Sequence, residues 1–497
     1  MNKILKSLKE MVKEITLLSH ANALLAWDQE TYMPTGAIEE RAEQMALLGG
    51  IAHEKMTSDR MVDLLNDAAA VNDLSEFDKD YIRVLKRDVD NNVKLSTELV
   101  QQLARTTSKA QAAWVQAREK SDFSLFKDNL SEVLILVKEK AEALGYEDSP
   151  YDALLDEFEP GLTTADVSKV FGVVGKDLSD FINELKEKPQ IDNSILFRKW
   201  DVKKQEKIGL QILRDMGYNF ETGRQDLSAH PFTTTLGFHD VRITTRYDEN
   251  FLSMGLYGSI HEGGHALYEQ GLSDELKYSH LATGTSLGIH ESQSRMWENL
   301  IGRSKPFVER YFSLIKDNFS HTTKDIDSEM LYRALNKVEP SFVRVEADEV
   351  TYSLHIILRY TIEREMIEEG LSVDDLEGRW NELSQELLGI KAKKASDGVL
   401  QDVHWSMGAI GYFPTYALGN LYGSQFYDTM NRDLNGVDQL VTDGDFDSIL
   451  CWLRENIHQY GRRKDALDLC KDITGESINP QFFLNYIKTK FRDVYDI

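Results

Sequence analysis

The chain has 497 residues, with 57 Lys and Arg against 83 Asp and Glu, a formal net charge of −26. So acidic a surface repels phosphate backbones and anionic lipid, which argues against nucleic-acid and basic membrane-anchor roles. Hydrophobic residues make up 41% of the chain, enough for a sizeable core and too many for disorder.

From the N-terminus, Ile4, Leu8, Met11, Ile15 and Leu18 recur at spacings of three and four and so share one face of a helix. Lys and Glu interrupt this stretch before a secretory apolar core can form. The longest apolar runs, such as Val133 to Val137, fall far short of the roughly 20 residues of a membrane span. With two cysteines, Cys451 and Cys470, and hence no disulfide framework, these features predict a cytoplasmic protein. Trp27 and Asp28 read at least as well as a core aromatic and a helix-capping carboxylate as they do as a lid contacting substrate. Phe126, Leu130, Val133, Val137, Ala141 and Leu144 form a second helical stripe, stopped by Gly145 with Pro150 beyond.

Between Met216 and Asp240, Gly217, Gly223, Pro231 and Gly237 break the helical pattern. Val241, Ile243 and Thr245 then alternate with Arg242, Thr244 and Arg246 up to Tyr247, which is strand periodicity and predicts a small sheet. Helix resumes near Phe251, passes Tyr268 and stops at Gly271; another covers Gly288 to Trp297. A helix from Thr351 to Glu369 turns Leu354, Ile357, Leu358, Ile362 and Met366 inward and ends at Gly370. No repeat, low-complexity tract or Gly/Ser linker divides the chain. The reading is a mainly α protein with one domain over 1–497, in which 1–200 is mostly an N-terminal helical lobe and 201–497 carries the chemistry.

That chemistry centres on His261-Glu262-Gly263-Gly264-His265, inside the helix that starts near Phe251. Positions four apart lie on one helical face, so the two imidazoles can grip one zinc ion. Glu262, rotated by about 100°, suits the general base toward a metal-polarised water attacking a carbonyl. Gly263 and Gly264 each weaken a helix by about 1 kcal/mol relative to Ala, which points to close approach of another backbone or of substrate. A catalytic zinc needs a third protein ligand, and Glu269, Glu275, Glu291 and Glu298 are available. Glu269, four residues past His265, climbs away from the metal and suits support. Spacing does not separate Glu291 from Glu298.

Five motifs in order resemble those of the carboxypeptidase Taq family of zinc metallocarboxypeptidases. They are Asp240-Val-Arg242-Ile-Thr244, the His261 to His265 motif, His290-Glu291-Ser-Gln293, Val343-Arg344-Val-Glu-Ala-Asp348 and Gly398-Val-Leu-Gln401-Asp402-Val-His404-Trp405. The stretches Trp27 to Pro34 and His458 to Arg463 are also similar to the family. The resemblance implies a helical closed clam with a deep groove, Glu291 as third ligand with Glu298 second, and removal of single residues from peptide C-termini. It further implies broad residue preference with poor release of proline, activation by cobalt in some members, and a homodimer.

A peptide C-terminus is a carboxylate and needs a cation to receive it. The family's arginine motif makes Arg344 the first candidate, set against a buried ion pair with Asp348 or Glu346. Arg242 is a weaker one, and Arg246 reads as a brace of the sheet edge. The segment from His239 to Leu300 holds 4 Lys and Arg against 9 Asp and Glu, so the attraction must come from a few placed charges. Charge growing on the carbonyl oxygen calls for donors, for which His404 and Tyr416, then Tyr412, are candidates. Asp240, Glu269, Asp348 and Asp402 are eligible to orient the zinc imidazoles from behind. His239 and His290 read as structural, and Arg462 and Arg463 as a solvated or interface face. Two rivals keep the same metal grip: an endo-oligopeptidase or dipeptidyl carboxypeptidase, and a non-catalytic, zinc-stabilised peptide-binding protein.

Overall fold

Helix dominates the computed structural model, which describes residues 2–497, as the amphipathic periodicities predict. Buried apolar residues from Leu5 to Tyr495 form one continuous core. The exception to helix is a small sheet of β1 (Gln225–Leu227), β2 (Thr233–Gly237) and β3 (Asp240–Thr245), ordered β1-β3-β2. β3 runs parallel to β1 and antiparallel to β2, with Thr233 opposite Ile243. Val241 and Ile243 are buried, as the alternation requires. The strand stops short of Arg246, which is exposed and donates to the Ala229 carbonyl at 3.2 Å, bracing the sheet edge.

Five helices, numbered among themselves in chain order, build the site: α1 (Lys3–Thr31), α2 (Leu252–Glu269), α3 (Leu287–Arg295), α4 (Glu349–Arg364) and α5 (Pro414–Asp433). α3 starts at Ser286, whose hydroxyl accepts the Ile289 N–H at 3.1 Å, and continues as a wider π-helical turn over Met296–Ile301. α4 starts at Asp348, whose carboxylate accepts the Val350 and Thr351 N–H groups, each at 3.0 Å. It too widens, over Glu365–Glu369, and Gly370 ends it in the left-handed conformation at φ +76°. Pro414 occupies the first turn of α5, where a missing N–H removes no helical hydrogen bond. Among the described residues no helix is long and apolar enough to cross a membrane. Cys451 and Cys470 are both free thiols.

The Phe126 to Leu144 stripe is buried throughout, and Gly145 ends its helix at φ +81°. The α1 stripe is centred elsewhere than its periodicity suggests: Leu5, Leu8 and Val12 are buried, while Ile4, Met11 and Ile15 flank them half-buried. Asp28 caps nothing; it lies within α1 and pairs with Arg41 at 2.7 Å, tying α1 to the next helix, while Trp27 is buried as expected. Arg462 and Arg463 are not a solvated face either. Arg462 forks onto Asp88 at 2.7 and 2.8 Å, and Arg463 reaches Asp80 at 3.0 Å and Glu275 at 2.6 Å. These pairs clamp the stretch His458–Arg463 onto the helix Glu76–Lys94 and onto Glu275, which is thereby removed from the ligand candidates.

Candidate metal centre

His261 and His265 stand one turn apart on α2, with ring centres 4.9 Å apart, and α3 brings Glu291 against both. Glu291 Oε2 lies 3.6 Å from His261 Nε2 and 3.4 Å from His265 Nε2, and one donor atom from each residue lies within 4.8 Å of the others. Metal–ligand bonds of about 2.0–2.1 Å at the tetrahedral angle separate donors by about 3.4 Å. The donor set and its spacing therefore fit a divalent ion.

Glycines make this approach possible. A Cβ at Gly264 would stand 2.7 Å from Ser294 Cα and 2.8 Å from the Gln293 carbonyl oxygen, and one at Gly419 would stand 2.5 Å from Glu291 Cγ. α2, α3 and α5 thus meet where no side chain intervenes, and Glu291 is wedged between the motif helix and α5. Gly263 serves a different neighbour, since its Cβ would lie 2.5 Å from Leu213 Cδ2.

The rear ring nitrogens fix the tautomers. His261 Nδ1–H donates to Glu298 Oε2 at 2.8 Å. His265 Nδ1–H donates to His290 Nδ1 at 2.7 Å, and His290 Nε2–H donates in turn to Glu269 Oε1 at 2.9 Å. Both arrangements leave Nε2 as a lone pair on the Glu291 side, as ligation requires. Arg295 holds Glu291 at 2.7 Å and Glu298 at 3.2 Å. Burial works against ionisation of these two carboxyls, yet Arg295 and the imidazoles hold both well below the usual range. Burial pushes His265 down to about 4. His261 moves up despite its burial, because Glu291 and Glu298 both flank it. Glu262 is buried beside the ligands, with one oxygen accepting the Thr233 hydroxyl at 2.6 Å, and burial raises its carboxyl. The sheet reaches Glu269 as well, through the Thr235 hydroxyl at 3.0 Å.

Next to this centre lies a cationic cluster. Arg344 is buried, with Nη2 and Nε 3.0 and 3.1 Å from Asp402 Oδ1 and Nη1 donating to the Tyr352 hydroxyl at 3.1 Å. Its acidic partner is therefore Asp402, neither Asp348 nor Glu346. Tyr352 joins the two regions, because the Arg295 guanidinium lies 4.2 Å from its ring centre. The Tyr416 ring is 4.8 Å from the Arg344 guanidinium, and the His404 ring is 5.2 Å from Tyr412 and 6.3 Å from Tyr416. Burial pushes His404 down to about 4, which leaves a neutral imidazole. Burial also raises both tyrosine hydroxyls, with the Glu291 charge adding to the effect.

Other candidates lie elsewhere in the network. Arg242 is held by Asp240 through two bonds of 2.8 Å and lies 4.4 Å over the Trp27 ring, which braces β3 against α1. Asp240, Asp348 and Asp402 touch neither imidazole: they serve Arg242, the α4 cap and Arg344. Of the four eligible carboxylates only Glu269 supports a ligand, and it does so through His290. The groups that orient the imidazoles directly are Glu298 and His290, the one read as an alternative ligand and the other as structural. A signal for Glu298 was present in its spacing, because a residue seven beyond Glu291 returns to the same face of a helix. His239 is exposed and takes no part in this network.

The family model of the carboxypeptidase Taq (M32) metallopeptidases matches residues 7–491. Carboxypeptidase 1 of Bacillus subtilis (strain 168) is 40% identical over 494 residues, which cover 99% of this chain and 98% of that protein. Thermostable carboxypeptidase 1 of Pyrococcus furiosus is 39% identical over 497 residues, 99% of each chain. The crystal structure of the M32 carboxypeptidase from Deinococcus radiodurans R1 superposes with a TM-score of 0.98 at 36% identity, over 100% of both chains.

Proposed function

Because the chain belongs to the carboxypeptidase Taq (M32) metallopeptidases and is a metallocarboxypeptidase, we propose that it uses zinc to release single residues from peptide C-termini, with broad residue preference and poor release of proline. His261, His265 and Glu291 would hold the ion; two imidazoles and a carboxylate suit zinc, and cobalt accepts the same set. When bound, the ion supplies Lewis-acid polarisation of the scissile carbonyl and acidifies water.

The remaining steps belong to the protein's own side chains. Glu262 takes the proton from the attacking water and passes it to the leaving amine. Thr233 occupies one of its oxygens, so that the other is free to accept. As negative charge grows on the carbonyl oxygen, the Tyr416 and Tyr412 hydroxyls and the neutral His404 stabilise it by hydrogen bonding. Arg344 receives the terminal carboxylate of the peptide.

One observation supports this reading above the others: a single tyrosine, Tyr352, contacts both Arg295, which holds Glu291, and Arg344. An anion site that close to the ligands suits a scissile bond at the very end of a chain. Glu262→Gln should keep its metal and lose turnover by about 10³-fold or more; retained hydrolysis would remove Glu262 from the role of base. Mass analysis of the products of an N-blocked tetrapeptide decides the unit released. Release of a free, unblocked dipeptide would replace the single-residue reading with the dipeptidyl one.

A further inference from the structure

α4 carries a second guanidinium that this reading leaves unused. Arg359 is fully buried, with Nε and Nη2 at 2.6 and 2.5 Å from Asp402 Oδ2 and Nη1 donating to the His355 carbonyl at 2.7 Å. Arg344 occupies the other oxygen, Oδ1. Asp402 is thus shared, one carboxylate between two guanidinium groups.

Nothing in contact restores the balance. Burial drives His355 down to about 3, so it is neutral, as is His404. Glu363, one turn along α4, accepts from the Tyr151 hydroxyl at 2.7 Å, the Trp405 indole at 2.9 Å and the Gly411 N–H at 3.1 Å, none of them a cation. Burial pushes its carboxyl up to about 7 although the Arg359 charge draws it down, so below that pH it adds no compensating charge. The other neighbours are aromatic. Arg359 lies 4.7 Å from the Trp380 ring and 5.4 Å from Phe413, whose ring is also 5.7 Å from Arg344. One positive charge in such surroundings is costly until an anion meets it.

We propose that Arg359 is a positioning residue for C-terminal specificity: by occupying Oδ2 of Asp402 it keeps that carboxylate from neutralising Arg344, and so preserves the single positive charge that a substrate carboxylate meets. The inference rests on Arg344 being the partner of that carboxylate. Facing Asp402 alone, Arg344 would be one half of a neutral pair, and the net positive charge that draws a substrate anion would be gone.

The test reads the KM of an N-blocked dipeptide acid at about pH 6 and the inhibition constant of its C-terminal amide. R359Q should raise KM for the acid about tenfold and move the amide constant by less than about twofold. R359K, which keeps the charge, should retain the preference for the acid. The double variant R359Q/D402N removes one charge of each sign and should recover that preference; a side chain needed for packing alone would be harmed further by a second buried substitution. R344A serves as reference. If R344A loses the preference while R359Q keeps it, the role of Arg359 falls alone. If R344A weakens acid and amide equally, the underlying reading of Arg344 falls. Should R359Q fail to fold, the double variant decides, and a preference as low as that of R344A overturns the proposal.

Discussion

Two buried clusters flank Tyr352, and they differ in kind. Around the ligands, the carboxylates of Glu291 and Glu298 converge on two imidazoles and are held by Arg295. Around Asp402, two guanidinium groups share one carboxylate. The first set of donors fits a divalent cation, and on the proposed reading the second meets a carboxylate. The end of a peptide suits the pair, since its last carbonyl and its terminal carboxylate are one residue apart. The lesson concerns the net charge of −26: an acidic exterior does not decide what the site attracts, because unmatched charges in a water-poor interior outweigh screened ones at the surface.

The contrast is broken most severely at the ligands. His265→Ala removes one of the three and should reduce bound metal to a trace and turnover by about 10³-fold or more, read by elemental analysis and kinetics. A variant that kept both would end the cation half of the comparison. Glu298→Gln acts from behind His261 and should weaken metal affinity by about 10- to 100-fold in a chelator competition. Unchanged affinity would mean that the rear hydrogen bond does not tune the imidazole.

On the cationic side, pH is the lever. Burial lifts Glu363 from its ordinary 4.5 to about 7, so its contribution to stability is whole below about 4.5 and lost as pH rises to about 7. The loss amounts to about 3 kcal/mol at most. Urea unfolding at about pH 5 and about pH 8 should show a smaller drop for Glu363→Gln than for the parent chain; an equal drop would show that Glu363 ionises as freely folded as unfolded. The smallest effect expected is that of salt. Raising ionic strength from about 0.05 to about 0.5 M should change kcat/KM by no more than about twofold, because the attracting charges are buried. A steep fall would move the attraction to the surface.

How much of this was legible in the sequence follows from how local each feature is. The motif helix, the small sheet and the stop at Gly370 depend on neighbours within a few residues, and they are found where periodicity and glycine put them. His261 and His265 converge because a helical turn brings them together. The partner of Arg344 is 58 residues away, however, and nothing near Asp402 announces that it would serve two arginines. Arg359 reads as one more polar residue on a helix whose apolar stripe was the visible signal. Asp240 and Asp348 misled for the opposite reason. They stand inside suggestive motifs, and their work there is local: one pairs with the arginine two residues on, the other caps its own helix.

The bare positions 264 and 419 have a mechanical consequence. Packed helices commonly shift past one another by one or two ångströms when a site opens or closes. At α2, α3 and α5 glycine leaves no flexible side chain between the backbones to deflect, so any such shift would meet main-chain atoms directly. The spacing of the ligand cradle is therefore set by backbone contact rather than by a choice of rotamers. A methyl group added at position 264 or 419 would push one helix off its neighbour and spread the donors apart.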